Sequence, residues 1–323
     1  MNKSIRYFAF LVSLTLLLAC EKEIAFRPNN QIPFLVMNSY LNPDSAWQVS
    51  VSQSIPMGKK IANDKVSDAV VKVFEQDIPI ETLQYNEVNK RYIGTGKPLA
   101  GKEYKITIEK NGFLPIEATS VIEPSPKVLN VSIVKDSLNK DRAFVTVRFS
   151  DQAGVKNFYR LVVSNEDEFE KLPSWATNNP NSSGSGWIGS TYIDYSLGIR
   201  SDDPNLIWHN QSSSAGVFDD VPNNIFNIFD DELIDGKTYS LTFSYSLSRY
   251  PEAKNNTVIY LQSITKELYM YLKSLSAQYY FGDDPLLEPI QVYSNVKNGG
   301  GILGGYNSSK LIINVDDLVS KRN

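Results

Sequence analysis

The sequence has few of the residues that most often carry out chemistry at protein sites. It contains one cysteine and one histidine in 323 residues. A single cysteine excludes a disulfide within the chain and a cysteine-ligated metal cluster. His209, the single histidine, has no nucleophile-elbow pattern around it, so a serine-hydrolase triad is not predicted. A chain of this length without disulfides must be held together by apolar packing.

Clustered positive charge and long apolar runs are also lacking. The formal net charge is −4, and no basic cluster interrupts the sequence. Nucleic acid and anionic lipid surfaces are therefore not expected as electrostatic partners. After residue 19 no apolar run reaches the ~18–20 residues that a membrane-spanning helix needs.

The N-terminal residues have the pattern of a signal peptide. Lys3 and Arg6 precede an apolar stretch over residues 8–19. That stretch is too short to span a bilayer as a helix, but its length is typical of a signal-peptide core. We therefore expect the protein to be exported.

A lipid anchor is predicted at Cys20. The residues Leu17-Leu18-Ala19-Cys20 resemble the lipobox of bacterial lipoproteins. That resemblance implies that residues 1–19 are removed and that Cys20 carries a diacylglycerol, which anchors the protein stably once the new amine is acylated. Residues 20–32 then form the anchor and tether, and the alternative is an ordinary signal peptide with an incidental cysteine.

Residues 33–123 alternate between apolar and polar side chains in the manner of β-strands. The clearest apolar faces are Trp47, Val49 and Val51 in one segment and Tyr104, Ile106 and Ile108 in another. Asn111-Gly112 follows the second segment and predicts a two-residue hairpin turn, because both residues tolerate positive φ. Such short strands without helical periodicity predict a β-sandwich that looks like the immunoglobulin- or transthyretin-like modules of secreted proteins.

A second domain is predicted after Pro124 and Pro126, because neither proline can donate a hydrogen bond to a sheet. Residues 127–323 are also rich in strands, most clearly at 239–247. One helix is predicted at 266–280, capped by Thr265 and closing one end of the second core. The expected fold class is mainly β: two immunoglobulin/transthyretin-like sandwiches, the second with a long insertion and one helix in its C-terminal region.

The insertion at 165–235 is the predicted recognition loop. It loses periodicity and is rich in Ser, Asn, Gly and Asp, yet it carries a concentration of large aromatic rings. Rigid rings among small polar residues suit a recognition surface. The alternative is that these rings pin the loop to its own domain. The candidate recognition residues are Trp175, Trp187, Tyr192, Tyr195 and Trp208.

No catalytic residue, metal site or cofactor is predicted beyond the lipid on Cys20. Gly299, Gly301 and Gly304 match G-x-G-x-x-G, but a strand rather than a helix follows, so we expect a turning loop instead of a dinucleotide site. Gly94-Thr95-Gly96-Lys97 lacks the spacing of a phosphate loop. Acidic pairs recur, and calcium binding or glycosidic hydrolysis are the alternatives to solvated loop aspartates. The pairs begin at Asp202, Asp219, Asp230, Asp283 and Asp316.

Three stretches resemble the lipoproteins of domain-of-unknown-function family 4249 of Bacteroidota. After Cys20-Glu21-Lys22-Glu23, they are Leu41–Ser54, Phe149–Gly154 with Asn157–Leu161, and Tyr293–Ile302. Members of that family often accompany TonB-dependent outer-membrane receptors, so the resemblance implies an accessory protein at the cell surface. Glu21-Lys22-Glu23 partly resembles surface-export signals, and the alternative is a solvated linker. For the location of the protein, the alternative to the cell surface is the periplasmic face of the outer membrane.

The sequence therefore predicts a non-enzymatic, lipid-anchored outer-membrane protein. Its partners would be the membrane, through the anchor, and a TonB-dependent receptor or that receptor's substrate. The alternative is a surface lipoprotein that binds or cleaves carbohydrate with its Trp-rich loop and nearby aspartates.

Overall fold

Strands predominate in the computed structural model, which describes residues 32–55, 65–139, 142–165, 198–207, 224–246, 256–281 and 290–314. In these ranges the elements are β1 (Leu35–Leu41), β2 (Gln48–Gln53), β3 (Val70–Glu75), β4 (Ile78–Thr82), β5 (Gln84–Asn86), β6 (Arg91–Ile93), β7 (Glu103–Glu109), β8 (Ile116–Val121), β9 (Lys127–Lys135), β10 (Arg142–Ser150), β11 (Phe158–Asn165), β12 (Ile199–Arg200), β13 (Ile228–Asp230), β14 (Thr238–Ser246), β15 (Asn256–Ile264), α1 (Lys266–Phe281) and β16 (Gly300–Asn314). The mainly β fold class with one helix is confirmed.

The strands of the described ranges form one large sheet and two small ones. The large sheet has the order β13-β11-β15-β16-β1-β2-β6-β5. The small sheets have the orders β4-β3-β7-β8 and β12-β14-β10-β9. All three sheets belong to one compact unit.

The long strand β16 joins the two halves of the large sheet. Its first residues pair in parallel with β1, from Val36 opposite Gly300 to Leu41 opposite Gly305. Its remaining residues pair antiparallel with β15, from Ile264 opposite Tyr306 to Asn256 opposite Asn314. One strand near the start of the chain is therefore held by the last described strand.

Each small sheet packs against one half of the large sheet to make a sandwich. The first core lies between the β1–β2 half and the β4-β3-β7-β8 sheet, and it includes Leu35, Met37, Val49, Val51, Val71, Val73, Ile106 and Ile108. The second core lies between the β11–β15 half and the β12-β14-β10-β9 sheet, and it includes Val145, Val147, Phe149, Tyr159, Leu161, Phe243, Ile259 and Leu261.

Both small sheets cover the same face of the large sheet. Leu303 packs in the first core, while Leu311 and Ile313 pack against the second. These residues are an even number of positions apart on one strand, so they point to the same side. The stretch 123–126 crosses this face between them, because Asn307 donates to the Glu123 carbonyl at 3.1 Å and Ser309 donates to that of Pro126.

The predicted boundary at Pro124 and Pro126 thus lies where the chain passes from one small sheet to the other. Strands from both sides of this boundary share the large sheet through the β1–β16 ladder. The division at 33–123 and 127–323 stays a prediction about folding units. The structure adds that backbone hydrogen bonds connect these two segments.

The helix prediction at 266–280 is confirmed, but its predicted location is wrong. The Thr265 hydroxyl caps α1 by accepting from the Leu268 amide at 3.3 Å. Leu268 and Leu272 are buried with Ile302 on the face of the large sheet opposite the sandwiches. The helix therefore covers the back of β16 rather than closing the second core. Within the described residues no helix is long and apolar enough to cross a membrane.

Two predictions about glycines are corrected by the backbone. At Asn111-Gly112 only Gly112 has positive φ, and the connection between β7 and β8 spans residues 110–115, so the two-residue hairpin is wrong. The stretch from Gly300 to Gly304 is the start of β16, so the turning loop is also wrong. Glycine serves there to let β1 approach closely: an added Cβ on Gly301 would lie 2.0 Å from the Met37 carbonyl oxygen.

Candidate functional site

The residues predicted to form the recognition surface lie outside the described ranges. These residues are Trp175, Trp187, Tyr192, Tyr195 and Trp208. Cys20 and the acidic pairs at 219–220, 283–284 and 316–317 also lie outside the described ranges. The segment 165–235 itself is partly described, at 198–207 and 224–235. These parts contribute five buried apolar side chains. Leu206, Phe229 and Ile234 belong to the second core. Phe226 and Ile228 are buried with Leu268 and Leu272 of α1.

A segment that served only as a recognition surface would be expected to add little to the core of its domain, and for the described parts of 165–235 that expectation is wrong. Strands β12 and β13 have only two and three residues. Elements this short cannot show a two-residue repeat, because alternation needs about four residues to be recognised. The sequence pattern therefore missed both strands.

A cluster of three aspartates lies at the end of the second sandwich where β10 and β13 finish. Carboxylate oxygens of Asp151, Asp231 and Asp235 all lie within 4.8 Å of one another. Asp151 and Asp231 are 6% and 3% exposed, so these are not solvated loop aspartates. This cluster is the candidate site, and it brings together residues about 80 positions apart.

Two connections between the sheets create this cluster. Residues 151–157 lead from β10 in the small sheet to β11 in the large sheet. Residues 231–237 lead back from β13 in the large sheet to β14 in the small sheet. Both connections cross at the same end of the sandwich, so each places its backbone amides beside the carboxylates of the other. We call these two segments the carboxylate clamp.

Each carboxylate of the clamp accepts a backbone hydrogen bond from the opposite connection. Asp151 accepts from the Gly236 amide at 2.9 Å, and Asp235 accepts from the Gly154 amide at 2.8 Å. Asp231 accepts from the Asn157 amide at 2.6 Å. Charged acceptors strengthen such bonds, so the clamp fixes the two crossings to each other.

Lys156 supplies the positive charge of the clamp. Its ammonium lies 2.7 Å from Asp231 and 3.0 Å from Asp230. Partial burial disfavours the charged amine, but the hydrogen bonds to Asp231 and Asp230 outweigh it, so the pKa of Lys156 is raised. The amine therefore stays protonated and takes the place that a cation would have beside Asp231.

A buried tyrosine completes the clamp and connects it to the core. The Tyr159 hydroxyl donates to Asp151, and burial followed by this hydrogen bond raises the pKa of Tyr159. The Tyr159 ring contacts Phe149 edge to face, with centroids 5.3 Å apart. The stretches 149–154 and 157–161, which resemble the family, include Phe149, Asp151 and Tyr159. The resemblance therefore includes residues that hold the second sandwich together.

A second tyrosine–aspartate pair also contacts the Phe149 ring. The Tyr239 ring is 6.3 Å from that of Phe149, and its hydroxyl donates to Asp203 at 2.8 Å. Burial first, and this hydrogen bond second, raise the pKa of Tyr239 to about 12. Asp203 also accepts from the Asn205 amide at 3.0 Å, so Asp203 shapes residues 201–205 and, through Tyr239, anchors them to β14.

The geometry of the clamp favours a structural role over catalysis or metal binding. Five carboxylate oxygens of its three aspartates already accept hydrogen bonds or an ion pair. A calcium ion needs six to eight oxygen ligands and would have to displace those partners. A glycosidase needs two carboxylates that a sugar can reach, whereas Asp151 and Asp231 are buried.

The Gly94-Thr95-Gly96-Lys97 stretch binds the carboxylate of Glu81, an anionic side chain of the same protein. The amides of Thr95 and Gly96 donate to the Glu81 carboxylate at 2.6 and 3.1 Å. Burial would raise the pKa of Glu81, but these backbone hydrogen bonds lower it below the ordinary value. The two amides are therefore occupied by a side chain and cannot also serve as a phosphate loop.

The other family-like stretch, 293–302, holds β16 against the first sandwich. The Asn295 side chain pairs with Leu303, accepting from its amide at 3.0 Å and donating to its carbonyl at 2.8 Å. Lys297 lies 2.8 Å from Glu117 of β8. This stretch positions the glycines of β16 beside β1.

The sequence model of one family, described as a domain of unknown function (DUF4249), matches residues 21–312. The match covers nearly the whole chain, so the chain belongs to this family. No curated protein matches it.

Proposed function

We propose that this member of the DUF4249 family is a lipid-anchored binding protein of the outer membrane that works with a TonB-dependent transporter. The observation that carries the proposal is the position of Cys20. It is the only cysteine of the chain and follows an apolar signal-like stretch. The family match begins at residue 21, immediately after it.

The chemistry of the described residues supports binding rather than catalysis. The acidic cluster is engaged by backbone amides, Lys156 and Tyr159. The nest of amides at Thr95 and Gly96 is filled by Glu81. Binding would then fall to the Trp-rich part of the insertion, which begins where β11 ends at Asn165.

Metabolic labelling with a fatty-acid analogue tests the anchor. The wild-type protein should incorporate the label, and Cys20→Ala should lose it and accumulate as an uncleaved or soluble product. Label retained by Cys20→Ala would refute lipidation at this residue. Leu138→Cys is a matched control, because it adds an exposed thiol outside the lipobox.

Co-purification tests the partner. The wild-type protein should carry a TonB-dependent receptor when it is solubilised from outer membranes. Single alanine substitutions of Trp175, Trp187 and Trp208 should weaken this capture by ~2 kcal/mol or more if they are interface anchors. Rings buried in the protein's own core would instead lower folding stability by ~3–5 kcal/mol, and that outcome for all three would place recognition elsewhere.

A further inference from the structure

Strand β9 is a long outermost strand that pairs with β10 on one side only. The amide of Asp136, directly after β9, donates to the Arg142 carbonyl at 2.9 Å. Backbone groups alternate in direction along a strand, so Val131, Ile133 and Lys135 direct their amides and carbonyls away from β10. No hydrogen bond of the described residues reaches these outward groups. We call the outward backbone groups of these three residues the open edge.

The other outermost strands of the described sheets are short or blocked. Strands β5, β12 and β13 have three, two and three residues. Strand β4 contains Pro79, which has no amide hydrogen, and β8 is bridged at Glu117 by Lys297. Short strands, prolines and covered edges protect a sheet from pairing with another chain. Strand β9 has nine residues, no proline and no covering segment among the described residues.

The second core is incompletely covered beside the open edge. Four apolar residues near it pack against that core but are only partly buried, and they are Val131 and Ile133 of β9 and Leu311 and Ile313 of β16. Another strand paired with β9 would place every second side chain on the core side, next to those of β9. Because burying apolar surface is favourable, such a strand gains free energy from apolar residues at alternate positions.

The outer face of β9 is also apolar near the open edge. Val134 is 64% exposed and lies opposite Phe144, which is 41% exposed. Leu129 is 48% exposed. Edge strands that stay unpaired usually carry charged residues along their length, whereas β9 has lysine only at its two ends.

The charges of β9 favour an acidic strand over a second copy of this chain. Lys127 and Lys135 are the first and last residues of β9, and no acidic residue lies between them. Asp136, the next residue, is already paired with Arg142 at 2.6 Å. Two β9 strands paired antiparallel about Val131 would place Lys127 opposite Lys135, and like charges in opposite positions are destabilising. A strand with carboxylates near both ends would meet the two lysines instead.

We propose that β9 binds an extended acidic segment of a partner protein, which adds to the small sheet as a fifth strand. The backbone of that segment pairs with the open edge, and its apolar side chains cover the exposed side of the core. Its carboxylates meet Lys127 and Lys135. This interaction surface involves neither the lipid anchor nor the Trp-rich insertion, so its test does not depend on the function proposed above.

The probe is a nine-residue peptide in which valine and threonine alternate between two terminal aspartates. Its matched control has lysine at both ends. Fluorescence anisotropy with the mature protein should show saturable binding of the aspartate peptide, several-fold tighter than that of the lysine peptide and weaker at high salt. Hydrogen exchange at the amides of Val131 and Ile133, measured by NMR, should slow when the aspartate peptide binds.

Two substitutions at position 131 separate backbone pairing from side-chain packing. Val131→Pro removes an amide hydrogen that points away from β10, so the β9–β10 pairing is kept. It should weaken peptide binding about 3–10-fold more than Val131→Ala, which keeps the amide. Circular dichroism and thermal unfolding check that both variants fold. Lys127→Glu combined with Lys135→Glu tests the same edge without proline, and should make the lysine peptide the tighter ligand.

Three results would overturn the inference. Absent or equal binding of the two peptides, or unchanged exchange at Val131 and Ile133, would show that the open edge is not a docking site. Dimerisation that sedimentation detects and Val131→Pro abolishes would identify a second copy as the occupant. Slow exchange of these amides in the free monomer, lost when the chain is ended at Asn314, would identify residues 315–323 as the occupant.

Discussion

The glycines of β16 allow the structure to be tested by adding a single methyl group. Gly301 has φ +98°, and an alanine Cβ there would lie 2.0 Å from the Met37 carbonyl oxygen of β1. Gly301→Ala therefore meets two separate penalties. Positive φ costs an L-residue ~1–2 kcal/mol, and forcing a group into a filled site costs ~1–3 kcal/mol.

Two other glycines separate these penalties. Gly112 has φ +86° but open space around it, so Gly112→Ala should lose only ~1–2 kcal/mol. Gly198 has open space and no positive φ, so Gly198→Ala should change stability by less than ~0.5 kcal/mol or raise it slightly. Gly301→Ala should lose about 2–5 kcal/mol, because it meets both penalties and β1 and β16 must separate to admit the methyl group.

Urea unfolding of the mature protein, followed by circular dichroism and by tryptophan fluorescence, measures these differences. The order of stability should be Gly198→Ala, then Gly112→Ala, then Gly301→Ala. A loss at Gly301 within about 1 kcal/mol of that at Gly112 would refute the close parallel approach of β1 and β16.

The carboxylate clamp and the crossing at Glu123 give two further predictions. Lys156→Met should lower the free energy of unfolding by about 2 kcal/mol in urea at pH 7, because the buried Asp231 carboxylate loses its cation. Adding Asp231→Asn to Lys156→Met should recover part of that loss. Full additivity of the two substitutions would contradict the ion pair. Burial, and then the charge of Glu267, raise the pKa of Glu123 above its ordinary value. The folded state therefore binds the proton of this carboxyl group more tightly than the unfolded state does. As a result, folding stability falls as the pH rises from the unfolded-state pKa of Glu123 through its folded-state pKa. Glu123→Gln should therefore raise the Tm more at pH 7 than at pH 4, and an equal rise at both would count against the burial of this carboxyl group.

The local patterns of the sequence were sufficient to predict strands and the helix. Trp47, Val49 and Val51 are buried as their alternation predicts, and Tyr104, Ile106 and Ile108 are buried likewise. The helical spacing of Leu268, Leu272, Leu275 and Tyr279 predicts one buried face. Tyr279 is nevertheless 59% exposed, because α1 contacts the sheet mainly through its first turns. These successes share a cause: each element's own spacing records which of its faces is buried.

Pairings between distant strands could not be predicted in this way. Nothing in the spacing of residues 35–41 indicates that their partner is 300–305, because any apolar strand offers the same backbone groups. The glycines at 299–305 were a usable signal, since a strand rich in glycine often marks a close backbone approach. Because three of these glycines also match the nucleotide-binding pattern G-x-G-x-x-G, the sequence predicts a loop there instead of a strand.

The candidate site was predictable only in its parts. The stretches 149–154 and 157–161 resemble the family, and Asp230-Asp231 is visible in the sequence as an acidic pair. That they meet depends on two crossings between different sheets, which no local pattern encodes. The aromatic residues proposed for recognition at 175–208 are not described, and their role stays a prediction.

The pairing of β1 with β16 sets the order in which the chain can complete its fold during synthesis. Asn42, next to the end of β1, hydrogen-bonds to Tyr306, which lies 264 positions later in the chain. At about 5–20 residues per second, a ribosome needs roughly 13–50 s to make that interval. Until then one edge of β1 has no partner, and an unpaired apolar edge invites association with other chains. The large sheet therefore cannot close between β1 and β16 until most of the chain has been synthesised.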